Sequence, residues 1–264
     1  MPEVNVSGVQ LYYEIHGDGP LLLLVSGLGG DSQSWLPVLD ELSKHFRVLT
    51  FDNRGAGRSD PPDTFYTIAD LAADARHLLA HLGIGRAHLL GHSMGGYIAQ
   101  ELAITYPECV DKLILAGTAP FSSDRNNTFF RTFLGWWEKG MDLETRMRVW
   151  AFWLFTPERF HNADFIEEYI SAAVKYPHQQ SIPGFKGQIE AIASFNARDR
   201  LEKIRAETLI IEGKEDILIL PREAETLKRI PGSSLLYVEE AAHLIYVEQP
   251  EAFSRAVLKF LEKT

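Results

Sequence analysis

The chain of 264 residues is long enough to bury a large core and only slightly exceeds the usual size of one domain, so a single domain with an insertion is expected. Its formal net charge of −10 disfavours nucleic acid and anionic membranes as partners, because such a surface repels phosphate groups. No apolar run approaches the ~20 residues of a membrane span, no signal peptide is apparent at the start, and Cys109 is the only cysteine. We therefore expect a cytoplasmic protein without internal disulfides.

The first part of the chain alternates strand-like runs with amphipathic segments of helical period. The strand-like runs are VQLYYEIHG, LLLLVSG, RVLTFD, AHLLGHS and KLILAG. The helical segments are SWLPVLDELSKHF, IADLAADARHLLAHLG and GYIAQELAITYP. Leu21 to Val25 are apolar throughout, as in a strand that is covered on both faces. This alternation predicts a mostly parallel sheet with helices on both sides.

Residues 120–195 interrupt this rhythm with helical periodicity and no convincing strands. Two sets of apolar residues at i, i+3, i+4 and i+7 each form one helix face: Phe130, Phe133, Leu134 and Trp137, and then Met147, Trp150, Ala151 and Leu154. The alternation resumes with ETLIIEG, PREAETLKRI, SLLYVEE and PEAFSRAVLKFLEK. We therefore expect a core domain of residues 1–119 and 196–264, with a helical cap, or lid, formed by residues 120–195.

Ser93 lies in LLGHSMGGYIA, where the pattern G-x-S-x-G falls between a predicted strand and a predicted helix. A serine in such a tight turn adopts a strained backbone and projects its hydroxyl into a site, while Gly91 and Gly95 leave room for neighbouring backbone. The helix beyond Ser93 directs its unpaired N–H groups toward the place where negative charge would form on a substrate oxygen. Ser93 is therefore the candidate nucleophile.

The base that activates such a serine must come from another part of the chain. Among the nine histidines, His243 follows the predicted strand SLLYVEE and lies on a loop, at the sheet edge where open α/β sheets gather ligands. His92 adjoins Ser93, but the sharp turn is expected to direct its side chain elsewhere. His243 is therefore the candidate base.

The acid that orients the base has several candidates. Asp216 follows the predicted strand ETLIIEG, with Glu215 beside it and with Glu239 and Glu240 near the end of the next strand. Acidic residues in such loops commonly do no more than face solvent. Asp216 is favoured because nucleophile, acid and base are expected in that chain order in this architecture.

Together these segments resemble the α/β-hydrolase fold superfamily nearly from end to end. The matching motifs are SGLGG (residues 26–30, the oxyanion loop), FDNRGAGRSD, GHSMGG, GKED and AAHLIYVEQPEAF. The resemblance implies an α/β-hydrolase fold: a mostly parallel eight-stranded sheet, helices on both faces and a helical lid after the sixth strand. It is closest to the branch of 3-oxoadipate enol-lactonase, aminoacrylate hydrolase and small carboxylesterases. Ser26 stands where many members have histidine, at a position that mainly shapes the loop.

The resemblance also implies the roles of the site residues. Ser93 would be the nucleophile, His243 the base and Asp216 its orienting acid, with the backbone N–H groups of Leu28 and Met94 as the oxyanion hole. The expected activity is hydrolysis of a carboxylic ester or lactone through an acyl-enzyme, without cofactor or metal. The same triad also serves C–C bond hydrolases and cofactor-free perhydrolases, and some proteins of this fold are small-molecule receptors with slow turnover, so these alternatives remain open.

The aromatic insertion suggests a small-molecule substrate with an apolar or aromatic part. We name Phe130, Trp137, Trp150 and Phe152 as candidate pocket residues, although each ring could equally pack helix against helix. GAGRSD imitates the start of a dinucleotide-binding motif, but Asp60 replaces its third glycine and two prolines follow instead of a helix, so NAD is not expected. Arg54, in the same segment as GAGRSD, is expected to brace its loop against a carboxylate.

Overall fold

The computed structural model describes residues 2–262 of the chain. Its strands are β1 (Glu3–Val6), β2 (Val9–His16), β3 (Leu21–Val25), β4 (Arg47–Phe51), β5 (Ala87–His92), β6 (Val110–Ala116), β7 (Glu207–Gly213) and β8 (Ser234–Val238). Its α-helices are α1 (Leu36–Leu42), α2 (Ile68–His81), α3 (Met94–Thr105), α4 (Asp124–Glu138), α5 (Leu143–Leu154), α6 (Ala163–Lys175), α7 (Ile182–Ser194), α8 (Pro221–Ala224), α9 (Ile245–Glu248) and α10 (Pro250–Leu261).

All eight strands form one sheet in the order β1-β2-β4-β3-β5-β6-β7-β8. The pairs β1/β2 and β2/β4 are antiparallel, and the pairs from β4 through β8 are parallel. The parallel strands therefore all end at the same edge, and the loops after β3, β5, β7 and β8 gather there. The predicted mostly parallel eight-stranded sheet is confirmed.

Helices cover both faces of the sheet, as the uniformly apolar β3 predicts. All five β3 residues are buried, and their side chains alternate between two hydrophobic clusters. Leu23 and Val25 pack with residues of α2 and α3, whereas Leu22 and Leu24 pack with residues of α1 and α10. A strand that is buried on both faces cannot show a polar and apolar alternation.

Four α-helices, α4 to α7, lie between β6 and β7. The helix faces predicted in α4 and α5 pack together: the rings of Phe130 and Phe133 lie 6.0 and 5.2 Å from that of Trp150. Phe185 of α7 completes this aromatic cluster at 5.6 Å from Phe133. These rings belong to the same hydrophobic cluster as Leu23 and Val25, so they pack the insertion onto the core. A smaller, separate cluster within the insertion consists of Ala151, Phe155, Ile166 and Ile170.

Two predicted helices differ from the structure in form. PREAETLKRI is an α-helix only over Pro221–Ala224 and continues as a 3₁₀ helix over Glu225–Arg229. Its buried residues Ala224, Leu227 and Ile230 are three apart, which matches the 3₁₀ period. SWLPVLDELSKHF likewise begins with a 3₁₀ turn over Ser32–Trp35 before α1. None of the helices in residues 2–262 is long and apolar enough to cross a membrane.

Candidate active site

Ser93 occupies the sharp turn between β5 and α3, with a strained backbone of φ 56° and ψ −120°. A Cβ atom added to Gly91 would collide with the carbonyl oxygen of Gly95, and one added to Gly95 would collide with that of Val25. The predicted need for glycine at both positions is therefore confirmed. The side chain of Ser93 remains partly accessible at the carboxyl end of the sheet.

The three side chains of the predicted triad meet in space. His243 Nε2 lies 3.0 Å from Ser93 Oγ, and His243 Nδ1 lies 2.7 Å from Asp216 Oδ2. Asp216 and His243 are both buried. Because the Asp216 carboxylate accepts a hydrogen bond from Nδ1–H, the lone pair on Nε2 is directed at the Ser93 hydroxyl, an arrangement in which Nε2 can accept the hydroxyl proton.

The loop after β7 holds Asp216 firmly. Asp216 Oδ1 accepts hydrogen bonds from the backbone N–H groups of Leu218 at 2.7 Å and Ile219 at 2.9 Å. The rival carboxylates Glu215, Glu239 and Glu240 are exposed, so they lack this buried position. We call residues 214–220 the acid loop.

His92, the residue before Ser93, contacts both the backbone and the ring of His243. Its Nε2 lies 2.9 Å from the carbonyl oxygen of His243, and the two rings are 4.7 Å apart. Burial, with a smaller effect of His243, lowers the pKa of His92 to about 3, so the ring is neutral and its Nε2–H donates to the carbonyl. The sequence excluded His92 as a base, but it gave no sign of this contact.

A second buried carboxyl group, Glu212, lies at the end of β7. The side chain is buried, and its carboxyl group lies beside that of Asp216. Burial, followed by the neighbouring charge of Asp216, raises the pKa of Glu212 well above its ordinary range, so its neutral form is favoured. Sequence reasoning missed Glu212, although a lone acid in the apolar run LIIEG is a visible signal.

The oxyanion loop forms a tight turn next to Ser93. Gly30 N–H donates to the carbonyl oxygen of Gly27 at 3.1 Å, and a Cβ on Gly27 would lie 3.0 Å from Ser93 Cβ. Ser26 Oγ donates to the carbonyl oxygen of Asp31 at 2.9 Å, which agrees with a loop-shaping role for residue 26. The turn therefore lies against the nucleophile.

Two backbone N–H groups near Ser93 are available to a ligand. The N–H of Leu28 has no acceptor among the described residues. Met94 is the first residue of α3, where an N–H group has no partner within the helix. These are the two groups that the sequence analysis assigned to an oxyanion hole, and that role stays a prediction.

The loop that carries His243, residues 239–244 (the histidine loop), is tied to the insertion. The Glu248 carboxylate is buried and accepts the Ala242 N–H at 2.7 Å through one oxygen. Its other oxygen accepts the Thr156 N–H at 3.0 Å and the Thr156 hydroxyl at 2.8 Å. Leu244 N–H donates to the carbonyl oxygen of Leu154 at 3.2 Å. The sequence gave no indication of this bridge.

The four candidate pocket residues lie in the insertion, apart from the triad in sequence. Phe130 and Trp150 belong to the aromatic cluster, and Trp137 lies 5.6 Å from Phe185. Phe152 is 62% exposed and stacks on Phe160 at 5.1 Å. The ring contacts described for all four are with other insertion residues, so pocket lining stays a prediction.

Arg54 has the bracing role expected of it. Its guanidinium makes two hydrogen bonds of 2.6 Å to the carboxylate of Asp74, and both residues are buried.

Within residues 2–262, no group of three or more His, Cys, Asp or Glu side chains is arranged to hold a metal ion.

Comparison with known proteins defines the class. Residues 20–250 match the model of the alpha/beta hydrolase fold family, so the chain belongs to this family. It is 31% identical over 268 residues to "Putative carbamate hydrolase RutD" of Azorhizobium caulinodans, with 98% of each chain covered.

Two solved structures are also similar. A hydrolase from Pseudomonas aeruginosa PA01 is 30% identical, with a TM-score of 0.90 and with 99% of this chain and 98% of that chain covered. The enol-lactonase from Burkholderia xenovorans LB400 is 26% identical, with a TM-score of 0.87 and with 99% and 100% covered. The chain is thus a hydrolase of the alpha/beta hydrolase fold.

Proposed function

We propose that the protein hydrolyses a carboxylic ester or lactone through an acyl-enzyme formed on Ser93. The observation that carries this proposal is the continuous line of hydrogen bonds from Asp216 through both nitrogens of His243 to Ser93 Oγ, at 2.7 and 3.0 Å. A hydroxyl becomes an effective nucleophile only when a base within hydrogen-bond distance removes its proton.

In the first step, Ser93 Oγ attacks the substrate carbonyl carbon while His243 Nε2 takes the hydroxyl proton. Negative charge forms on the carbonyl oxygen, and the N–H groups of Leu28 and Met94 stabilise it. His243 then gives the proton to the leaving alkoxide, which departs as an alcohol, or stays attached as the opened chain of a lactone. Asp216 stabilises the imidazolium and keeps its orientation.

In the second step, a water molecule takes the place of the leaving group. His243 removes a proton from this water, which attacks the acyl carbon bound to Ser93. The same N–H groups stabilise the second oxyanion, and its collapse releases the carboxylic acid and returns the proton to Ser93 Oγ. The triad and the two backbone groups perform both steps.

We propose that residues 120–195 form a cap over this site and favour an apolar or aromatic substrate. Arg125 donates to the carbonyl oxygen of Leu218 in the acid loop at 3.0 Å and lies over the ring of Trp153 at 5.4 Å. The ring of Phe129 is 4.5 Å from Trp153, and both rings are only partly buried. These two rings therefore lie near the part of the insertion that contacts the acid loop, and we add them to the predicted pocket residues.

The partner of this site is proposed to be a small molecule in a reducing, cytoplasmic setting. The net charge of −10 opposes binding of nucleic acid, and the only cysteine, Cys109, is buried. The names of the similar proteins suggest which bonds to test. An enol-lactonase opens a lactone, and a carbamate hydrolase cleaves a carbamate.

The test combines a covalent probe with a substrate panel. A fluorophosphonate should label the wild type and fail to label Ser93→Ala. Rates are then measured on p-nitrophenyl esters of increasing acyl length, several lactones and an aryl carbamate. Loss of the serine or histidine of such a unit costs about a millionfold in kcat. Ester or lactone turnover by Ser93→Ala or His243→Ala within about tenfold of wild type would refute the mechanism, and turnover of the carbamate alone would refute the substrate class.

A further inference from the structure

A buried amide from the insertion contacts the oxyanion loop directly. Gln188 of α7 is 0% exposed, and its Oε1 accepts the N–H of Gly29 at 2.9 Å. Its Nε2 donates to the carbonyl oxygen of Arg54 at 2.9 Å. One side chain therefore connects the insertion, the loop after β3 and the loop after β4.

The contacted N–H group lies at the centre of the turn. Leu28 and Gly29 are the two middle residues of the turn closed by Gly30 and Gly27, and Gly29 has φ +70°. A positive φ at the third residue of a four-residue turn marks a type II turn, in which the middle peptide is flipped relative to that of the commoner type I turn. The hydrogen bond to Gln188 therefore holds the Leu28–Gly29 peptide in this orientation.

Packing places Gln188 within reach of the turn. Gly184 lies one helical turn before Gln188, on the same face of α7. A Cβ atom added to Gly184 would collide with the backbone of Gly55, so α7 lies directly on the loop after β4. A second amide, Gln180, donates to Gln188 Oε1 and to the carbonyl oxygen of Gly55, both at 2.9 Å.

The Leu28 N–H belongs to the preceding peptide, Gly27–Leu28, which shares the Leu28 Cα with the peptide that Gln188 holds. We propose that Gln188 is a positioning residue that, by holding the Leu28–Gly29 peptide, fixes the direction of the adjacent Leu28 N–H for stabilisation of the oxyanion. The contact needs an acceptor toward Gly29 and a donor toward Arg54, and an amide supplies both while an apolar or acidic side chain does not. The inference rests on the proposed function, and it assigns to the insertion a part in transition-state stabilisation in addition to covering the site.

The test compares Gln188→Met with the matched control Gln100→Met. Methionine keeps the approximate volume and removes both contacts. Gln100 is also 0% exposed, and its Nε2 donates to the carbonyl oxygens of Gly96 and Ala119, both at 3.0 Å, so it controls for the loss of a buried amide. The measurements are kcat, KM, the melting temperature and the Ki of a trifluoromethyl ketone, which forms a tetrahedral oxyanion with an active-site serine.

For Gln188→Met we expect kcat to fall about 10- to 100-fold, less than the loss that follows complete removal of an oxyanion donor, with KM within about threefold. The trifluoromethyl ketone should bind more weakly by a similar factor. Gln100→Met should lose melting temperature without a parallel loss of affinity for the ketone. Equal losses in the two variants, or a kcat of Gln188→Met within about twofold of wild type, would overturn the inference.

A second pair of variants keeps the inference testable if Gln188→Met fails to fold, and two measurements on the wild type separate it from the proposed function. If Gln188→Met does not fold, Gln188→Glu keeps an acceptor for the Gly29 N–H and should bind the ketone better than Gln188→Ala does; equal binding by the two overturns the inference. The fluorophosphonate label and ester turnover of the wild type separate this proposal from the proposed function. A labelled, active wild type with an unaffected Gln188→Met removes only the role of Gln188, whereas an unlabelled, inactive wild type removes both proposals.

Discussion

Replacement of Asp216 by asparagine separates the proposed orienting role of this residue from its structural one. The carboxylate accepts three hydrogen bonds: Oδ1 binds the N–H groups of Leu218 and Ile219, and Oδ2 binds His243 Nδ1. An asparagine side chain has one acceptor oxygen and one NH₂ group. It therefore serves either the two backbone groups or the histidine, but not both.

The free-energy costs of the two orientations decide whether the asparagine oxygen accepts from the backbone N–H groups or from His243. A buried N–H group left without a partner costs about 1–3 kcal/mol, so turning the amide NH₂ toward the Leu218 and Ile219 N–H groups places about 2–6 kcal/mol at stake. Turning the NH₂ group toward His243 requires only that the proton of the imidazole move from Nδ1 to Nε2. The second arrangement is favoured, and it leaves Nε2 unable to accept the proton of Ser93.

We therefore expect kcat/KM of Asp216→Asn to fall about 10⁴-fold, with a loss of about 1–3 kcal/mol in the free energy of unfolding. The assays are steady-state hydrolysis of the best p-nitrophenyl ester, the rate of fluorophosphonate labelling and urea unfolding. Asp216→Ala should lose comparable activity and more stability, because both backbone groups lose their acceptor. Glu215→Gln removes the adjacent exposed carboxylate and should keep activity within about twofold. A folded Asp216→Asn with kcat/KM within about tenfold of wild type would show that the acid does not orient the base.

Three further variants test the buried polar groups. Because His92 is neutral in the fold with a pKa near 3 and binds a proton below about 6.5 when unfolded, its contribution to stability is present above pH 6.5 and lost as the pH falls toward 3. Between pH 8 and pH 5 the free energy of unfolding of the wild type should therefore fall by about 2 kcal/mol more than that of His92→Gln, which lacks the imidazole. Equal falls in the two proteins would contradict the burial argument. The pKa of Glu212 is raised above its unfolded value of about 4.5, so the contribution of this group to stability is fully present below pH 4.5 and is lost as the pH rises from there through the folded pKa. Glu212→Gln should therefore melt close to wild type at pH 4 and above it at pH 9; the same difference at both pH values would refute a neutral Glu212. Asp74→Ala leaves the buried Arg54 charge unpaired and should cost about 3–5 kcal/mol in urea unfolding, while a cost below about 1 kcal/mol would mean that Arg54 reaches water.

The sheet was predictable because the strands of this fold are short apolar runs that stand out from amphipathic helices. Leu21–Val25 and Glu207–Gly213 appear as strands where the sequence places them. The helix after β7 was harder, because PREAETLKRI has good helix formers throughout while its buried residues follow a period of three. The neighbouring elements decide which residues of this segment are buried, and that information is not present in a single sequence.

The meeting of Ser93, His243 and Asp216 was predictable because the proposed chemistry demands particular residue types at particular ends of strands. Ser93 has a local signature, whereas Asp216 was separated from Glu215 only by chain order and resemblance. The supporting contacts were not predictable. The contacts of His92 with His243 and of Gln188 with Gly29 join residues 151 and 159 positions apart, and glutamine or histidine in a helix or strand carries no signal of its distant partner.

The helical insertion contacts three of the four loops that compose the site, namely those other than the turn that carries Ser93. Asn126 donates to a backbone carbonyl of the acid loop at 2.8 Å, Leu154 accepts an N–H of the histidine loop at 3.2 Å, and Gln188 accepts an N–H of the oxyanion loop at 2.9 Å. All three contacts use backbone atoms of the core, so they fix the paths of the loops and do not depend on loop side chains. A rigid movement of the insertion away from the core would break all three contacts and release the loops that carry acid, base and oxyanion donor. The seated insertion therefore supports the paths of the loops that carry Asp216, His243 and Leu28, while the hydrogen bonds that join Asp216, His243 and Ser93 lie within the core itself.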